Sequence, residues 1–351
     1  MNLRAGFTTG ACAAAAAKAA ATWLCEGVAP ESVEIGLPEG RRVRFCVVSG
    51  SLTPGGAQAA VCKDAGDDPD VTHQALIVAD VEFSDGDEVG FAAGEGVGTV
   101  TKPGLSVAPG EPAINPVPRR MIRQGVREVT QRGVRVTVSI PGGRELAART
   151  FNPRLGIEGG LSIIGTTGIV KPFSAPALKA SLQCALDVAA ACGVRNPVLV
   201  PGNIGERAAN RNFRLNPGQA VQVSNHWGFM LDQAAAESRF DALLVLGHPG
   251  KLAKLIAGEW DTHSSNSASA TGIVARLGEE VFGGPLPESA TVEGIFAACG
   301  SARSGRLGNV LAAGIRNAAV ARIGGEKPLS VVLINMPGDI LGFDGDLTIW
   351  K

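Results

Sequence analysis

The chain has no tyrosine in 351 residues, so a tyrosine general acid is excluded. Histidine is scarce too: the four, at 73, 226, 248 and 263, share no metal-ligand spacing, and no sequence-local metal site is visible. Seven cysteines, at 12, 25, 46, 62, 184, 192 and 299, form no CxxC pair. Their odd number speaks against a secreted disulfide framework, and they read as buried free thiols. No apolar run approaches the ~18 residues of a membrane span. Neither sign of charge is in excess, since 32 Lys and Arg face 33 Asp and Glu. A net charge of −1 argues against nucleic acid or a membrane surface as partner. The alanine-rich start is interrupted by Lys18 and is only weakly apolar, so it reads as a mature cytoplasmic N-terminus rather than a signal peptide.

What is present is the composition of an ordinary soluble globular protein, 45% hydrophobic and 19% charged, with a length that suggests two domains. The fold class is expected to be α/β. An α+β substrate domain is expected at 1–154, with 325–351 as a candidate return to it, and an α/β domain with a mostly parallel sheet at 155–324. In the first, the spacing predicts a helix over Ala11–Leu24, a hairpin over 32–48 turning at Pro38-Glu39-Gly40, a helix over 115–132 and a strand over 134–140. Strands then alternate with helices, as a parallel sheet requires.

Four of the predicted strands end in turns rich in glycine, asparagine or histidine. Leu161–Ile164 runs into Gly165-Thr166-Thr167-Gly168, and Pro197–Val200 into Pro201-Gly202-Asn203-Ile204-Gly205-Glu206. Ala220–Val223 leads to Ser224-Asn225-His226, and Ala242–Leu246 to Gly247-His248-Pro249-Gly250-Lys251. In an open parallel sheet such turns gather at the carboxyl edge, where ligands bind. Gly165 and Gly168 permit positive φ, and Thr166 and Thr167 place hydroxyls beside free N–H groups, as an adenosyl or phosphate ligand would require. The spacing of Gly94, Gly96, Gly98 and Gly104 is no dinucleotide fingerprint, because no helix follows, and a bulged strand or turn is expected there.

Candidate polar groups lie in both halves. Thr8, Thr9 and Gly10 precede the alanine-rich helix, as an N-cap, an anion site or both. Asp64, Asp67, Asp68, Asp70 and His73 crowd one short segment, which is either a solvated turn or a loop carrying a base. Arg119, Arg120, Arg123 and Arg127 form either a cradle for a polycarboxylate or a plain basic face. His248 and Lys251, followed by Glu259, Asp261 and His263, are the best candidates for acid–base or charge-stabilising work.

Six stretches, FTTGACAAAAAKAA, KDAGDDPDVTH, GEGVGTVTKPGL, TFNPRLGIEGGLSIIGTTGIVKPFS, PGNIGE and GHPGKLAKLIAGEWDTHS, closely resemble the cobalt-precorrin-5B (C1)-methyltransferases of corrin-ring synthesis, in order and over nearly the whole chain. The resemblance implies methyl transfer from S-adenosylmethionine to ring carbon C1 of a contracted corrinoid, and a Rossmann-like second domain. It points to Gly165, Thr166, Thr167, Gly168, Gly202, Asn203, Gly205, Asn225, Gly247 and Lys251 as walls of the methyl-donor pocket. Thr8, Thr9, Gly10, Asp64, Lys102, Arg119, Arg120 and Arg154 are then candidates for the substrate, with Arg123 and Lys171 beside them. His248, His73 and Asp68 are candidate bases for the macrocycle, and no resident metal is expected. After Thr262-His263-Ser264 the sequence departs from the family, with Ser265, Asn266, Ser267 and Ala268 where a basic residue and an Ala-Asp pair are expected. A tetrapyrrole carrier and a dinucleotide oxidoreductase remain as alternatives, the latter without a GxGxxG followed by an acidic residue. A homo-oligomer is compatible with the sequence.

Overall fold

A computed structural model describes residues 3–351. The chain forms two compact units, Met1–Ala177 and Leu178–Lys351. In chain order the first unit runs β1 (Gly6–Phe7), α1 (Thr9–Glu26), β2 (Ser32–Gly36), β3 (Arg42–Cys46), β4 (Ser49–Thr53), β5 (Gly56–Cys62), β6 (Leu76–Phe83), β7 (Val89–Ala93), β8 (Thr99–Val100), α2 (Pro116–Arg127), β9 (Val134–Ser139), α3 (Gly143–Ala147), β10 (Ile157–Glu158) and β11 (Ile169–Val170).

Its centre is α1. Alanine is the best helix former and adds only a methyl group to the helix surface, so neighbours on every side can approach. From Thr9 to Ala21 each residue except Lys18 is buried. The helix lies against β5, β6 and α2. Lys18 reaches out of it to donate to the carbonyl of Glu34 at 2.8 Å and to Glu128 Oε2 at 2.5 Å. The sheet beneath has the order β4-β5-β6-β9-β7, antiparallel except for the β7–β9 pair. β2 and β3 form the expected separate hairpin, pairing Val33 with Phe45 and Ile35 with Val43.

The second unit holds α4 (Ala175–Ala191), whose first turn contains the division, then β12 (Val198–Val200), α5 (Asn203–Asn212), β13 (Ala220–Gln222), α6 (Trp227–Ala236), β14 (Leu243–Gly247), α7 (Pro249–Leu252), α8 (Thr271–Phe282), α9 (Val292–Ala298), α10 (Ser301–Arg322), β15 (Leu329–Ile334) and β16 (Ile340–Asp344). Its sheet order is β13-β12-β14-β15-β16, with parallel pairing except at β16. One sheet face packs Leu199, Val245 and Val331 with residues of α4, α6, α8 and α10. The other packs Val200, Leu246 and Val332 with Ala208 and Ala209 of α5 and with Trp350. The fold class is therefore α/β, as expected.

Three expectations are corrected. Residues 155–177 belong to the first unit, because β10 pairs with β8 and β11 with β1. The segment 325–351 does not return to that unit: β15 is buried along its whole length and pairs with β14, as a central parallel strand does. All seven cysteines are free, but only Cys12 is buried, and burial pushes its thiol up to about 12.

Candidate functional site

In the first unit three segments meet. The N-terminal residues lie between the acidic loop and the Gly165–Gly168 turn. Phe7 N–H donates to the Asp64 carbonyl at 2.7 Å, Thr8 N–H to Gly168 at 3.0 Å and Gly10 N–H to Ile164 at 2.9 Å. Thr8 caps α1, its hydroxyl accepting from Ala11 N–H at 3.2 Å, while Thr9 Oγ1 accepts from Ile164 N–H at 2.9 Å. The sequence expectation placed the Gly165–Gly168 turn at the carboxyl end of a parallel strand. The structure instead sets it against Thr8, where a Cβ on Gly165 would fall 2.3 Å from Thr8 Oγ1 and one on Gly168 2.7 Å from Leu37 Cδ2. Packing within the chain accounts for both glycines. Thr166 and Thr167 are exposed, and the Thr167 hydroxyl accepts from Ile169 N–H at 3.2 Å.

The acidic loop is highly cross-tied. Asp64 pairs with Arg4, whose guanidinium holds its carboxyl at about 2. Fully buried Lys63 donates to Asp70 at 2.8 Å. Burial alone would raise the Asp70 carboxyl, but Lys63 and Thr72 outweigh it and the net shift is downward. Asp68 Oδ1 accepts from Phe173 N–H at 3.0 Å, and His73 Nδ1 accepts from Ala65 N–H at 3.1 Å, which puts any neutral-ring proton on Nε2.

On α2, Arg119, Arg120 and Arg123 line an open surface pocket of about 430 Å3 together with Ser106, Val107 and Glu111. Arg119 is held by Glu111 at 3.2 Å and lies 5.4 Å from the Phe91 ring, with Arg123 at 5.5 Å on the same ring. Lys102 packs its stem where a Cβ on Gly156 would stand, and Arg154 lies 6.0 Å from Phe151.

In the second unit the turns after β12, β13 and β14 come together at the carboxyl edge of the sheet. A Cβ on Gly247 would meet Pro201 Cδ at 3.1 Å, so the first and third turns touch. They flank the β12–β14 pair, where chain connections diverge to the two sides of the sheet and open α/β folds bind ligands. Gln222 joins the first two by donating to Asn203 Oδ1 at 2.8 Å and Glu206 Oε2 at 2.7 Å. Lys251 Nζ donates to Asn225 Oδ1 at 2.9 Å, which also accepts from Thr262 Oγ1 at 3.3 Å. Burial and then the charge of Lys254 lower the Lys251 ammonium below its ordinary range. Gly205 is buried in α5. Beside Gly202 a Cβ would meet nothing within 4 Å, so its backbone faces open space and packing does not require glycine there.

His248 has both ring nitrogens engaged, Nδ1 accepting from Gly250 N–H at 3.0 Å and Nε2 standing 2.7 Å from Glu293 Oε2. The loop at 265–268 holds a buried cation, since Ser267 Oγ accepts from Lys254 Nζ at 2.8 Å. Gln222 and Glu293 lie in no motif, and sequence reasoning missed them; Lys254 lies within GHPGKLAKLIAGEWDTHS but was given no role. Among the described residues no group of three His, Cys, Asp or Glu side chains could hold a metal ion, and no helix is long and apolar enough to cross a membrane.

A family model described as CbiD matches residues 1–172. A protein of Syntrophotalea carbinolica named cobalt-precorrin-5B C(1)-methyltransferase is 54% identical over 350 residues, 100% of this chain and 99% of that one. One of the same name from Geobacillus kaustophilus is 41% identical over 364 residues, covering 98% and 96%. The crystal structure of a cobalamin biosynthesis protein (cbiD) from Archaeoglobus fulgidus is 30% identical over 74% of this chain and 82% of that one, with a TM-score of 0.40. With 54% identity over its whole length to a protein of that name, the chain belongs to the cobalt-precorrin-5B C(1)-methyltransferase family.

Proposed function

We propose that the protein methylates C1 of cobalt-precorrin-5B with S-adenosylmethionine as donor, in the cytoplasm, as a step of cobalamin synthesis. The observation that carries this is the full-length likeness to proteins named for that reaction. Transfer from a sulfonium needs no nucleophilic side chain. The methyl group leaves sulfur, the sulfur keeps the bonding pair, and C1 of the macrocycle supplies the pair for the new bond. The protein's task is alignment of donor and acceptor carbon.

The residues at the carboxyl edge of the second unit fit the donor. Open space beside Gly202 admits a ligand to the backbone, and Asn203, Glu206 and Gln222 suit ribose hydroxyls and a positive sulfonium. Lys251 with Asn225 suits the donor's carboxylate. Because packing on Thr8 and Leu37 accounts for Gly165 and Gly168, the Gly165–Gly168 turn is assigned to the substrate side with Thr8, Thr9 and Gly10. Arg120 and Arg123, on the open pocket of about 430 Å3, suit the carboxylate arms of the corrinoid. His73, whose neutral ring carries its proton on Nε2, suits hydrogen-bond donation to the substrate rather than proton abstraction, and His248 has both ring nitrogens engaged inside the chain.

Incubation with S-adenosylmethionine and the C1-unmethylated intermediate should add one methyl group to the corrinoid by mass, and no gain would reject the reaction. Calorimetry separates the alternatives. Binding of S-adenosylhomocysteine without NAD agrees with the methyltransferase, whereas corrinoid binding with neither nucleotide indicates a carrier.

A further inference from the structure

Phe173 has two unfavourable features that its own chain does not offset. Its backbone is left-handed, with φ at +53°, a region that crowds any Cβ and is rare for a bulky residue. Its side chain is 74% exposed, more than any other exposed large apolar residue described. Among the described residues no ring or guanidinium packs on it. The conformation is imposed from two sides. Upstream, Ile169 and Val170 are fixed by pairing with Phe7 and Gly6. From across the chain Asp68 Oδ1 takes the Phe173 N–H at 3.0 Å. The Asp68 loop is itself tied down, by Arg4 N–H to Asp67 Oδ2 at 2.6 Å, by Phe7 N–H to the Asp64 carbonyl and by the buried Lys63–Asp70 pair.

Strain that survives because its surroundings over-determine it gathers at ligand sites. We infer that the Phe173 ring is a platform on which the flat macrocycle of the substrate stacks, with Asp68 as the positioning residue that keeps it raised. The inference rests on the substrate proposed above. A corrinoid offers a broad apolar face rimmed by carboxylates, and exposed Lys171, two residues before Phe173, supplies a cation for that rim. Thr166 and Thr167, also exposed, lie just ahead of β11 in the same stretch of chain.

Two properties make this testable apart from turnover. Glycine adopts φ of +53° without strain, so Phe173→Gly should raise the Tm while removing the platform. Cobyrinic acid, a cobalt corrinoid with unmodified carboxylate arms, serves as a binding probe by equilibrium dialysis. Phe173→Gly should bind it about tenfold more weakly, the scale of one ring stacked on a flat conjugated face, and Phe173→Tyr should bind it as the wild type does. Asp68→Ala should lose affinity for the probe, and Asp68→Asn, which keeps an acceptor oxygen, should restore it; if Asp68 were the base, the amide would rescue binding but not turnover. S-adenosylhomocysteine affinity should be the same in all of them. Wild-type affinity for cobyrinic acid in Phe173→Gly would overturn the platform even where the wild type transfers methyl groups. If instead the wild type binds the probe, loses it on Phe173→Gly and transfers no methyl group to C1, the platform stands and the reaction assignment fails.

Discussion

At position 165 an added methyl group would meet Thr8 Oγ1 at 2.3 Å on a backbone with φ of +131°, whereas at 202 it would meet nothing within 4 Å. Both positions read identically in the sequence, as glycines in a turn after an apolar run. Gly165→Ala is expected to destabilise the first unit by about 1–3 kcal/mol, read as a lower urea midpoint. Gly202→Ala should change stability by less than about 0.5 kcal/mol but weaken S-adenosylhomocysteine binding about tenfold in calorimetry. Equal stability loss in both variants would count against assigning them different roles. Thr166→Val with Thr167→Val should leave that affinity within about twofold if the turn serves the substrate rather than the donor. The side chains that touch, such as Gln222 on Asn203 and Glu206 or Glu293 on His248, were not legible, because each joins segments that only the folded sheet brings together.

Element by element, much of the pattern was legible. The alanine helix, the 32–48 hairpin, the strand at 134–140 and the strands of the parallel sheet all follow from local periodicity. β11 was not, because its partner β1 stands at the other end of the unit and two-residue strands have no periodicity to read. The close packing of α1 predicts that Ala16→Leu, at a fully buried position, costs about 1–3 kcal/mol by overpacking, measured by denaturant unfolding. Glu128, at the end of α2, ties that helix to Lys18 of α1 and Arg42 of β3. Hydrogen bonding from Arg42 holds its carboxyl at about 2, against an ordinary 4.5. A carboxyl with a lowered folded-state pKa contributes stability above its unfolded value and loses it as pH falls through the folded one. Glu128→Gln should therefore lower stability by less than about 1 kcal/mol near neutrality, a screened surface effect, and the gap should close between pH 4.5 and about 2 in unfolding curves taken across that range.

On the scale of the whole molecule, the sequence supported two units but misplaced their limit, because the turn at 165–168 followed by α4 reads locally as strand, turn and helix. Its sheet partner decides otherwise. Each unit has its own buried cluster, so residues 178–351 made alone should unfold cooperatively. That fragment should also bind S-adenosylhomocysteine within about tenfold of the full chain if the donor site is complete at its carboxyl edge. A folded fragment without such affinity would move the donor elsewhere.

The alanine surface of α1 has a consequence for synthesis. The helix leaves the ribosome before β5, β6 and α2, the elements that bury it, have been made. A leucine-rich helix in that position would wait with a broad adhesive stripe exposed. With alanine over most of its buried length, α1 forms early on its own propensity and offers little apolar area for wrong partners while the rest of the unit emerges.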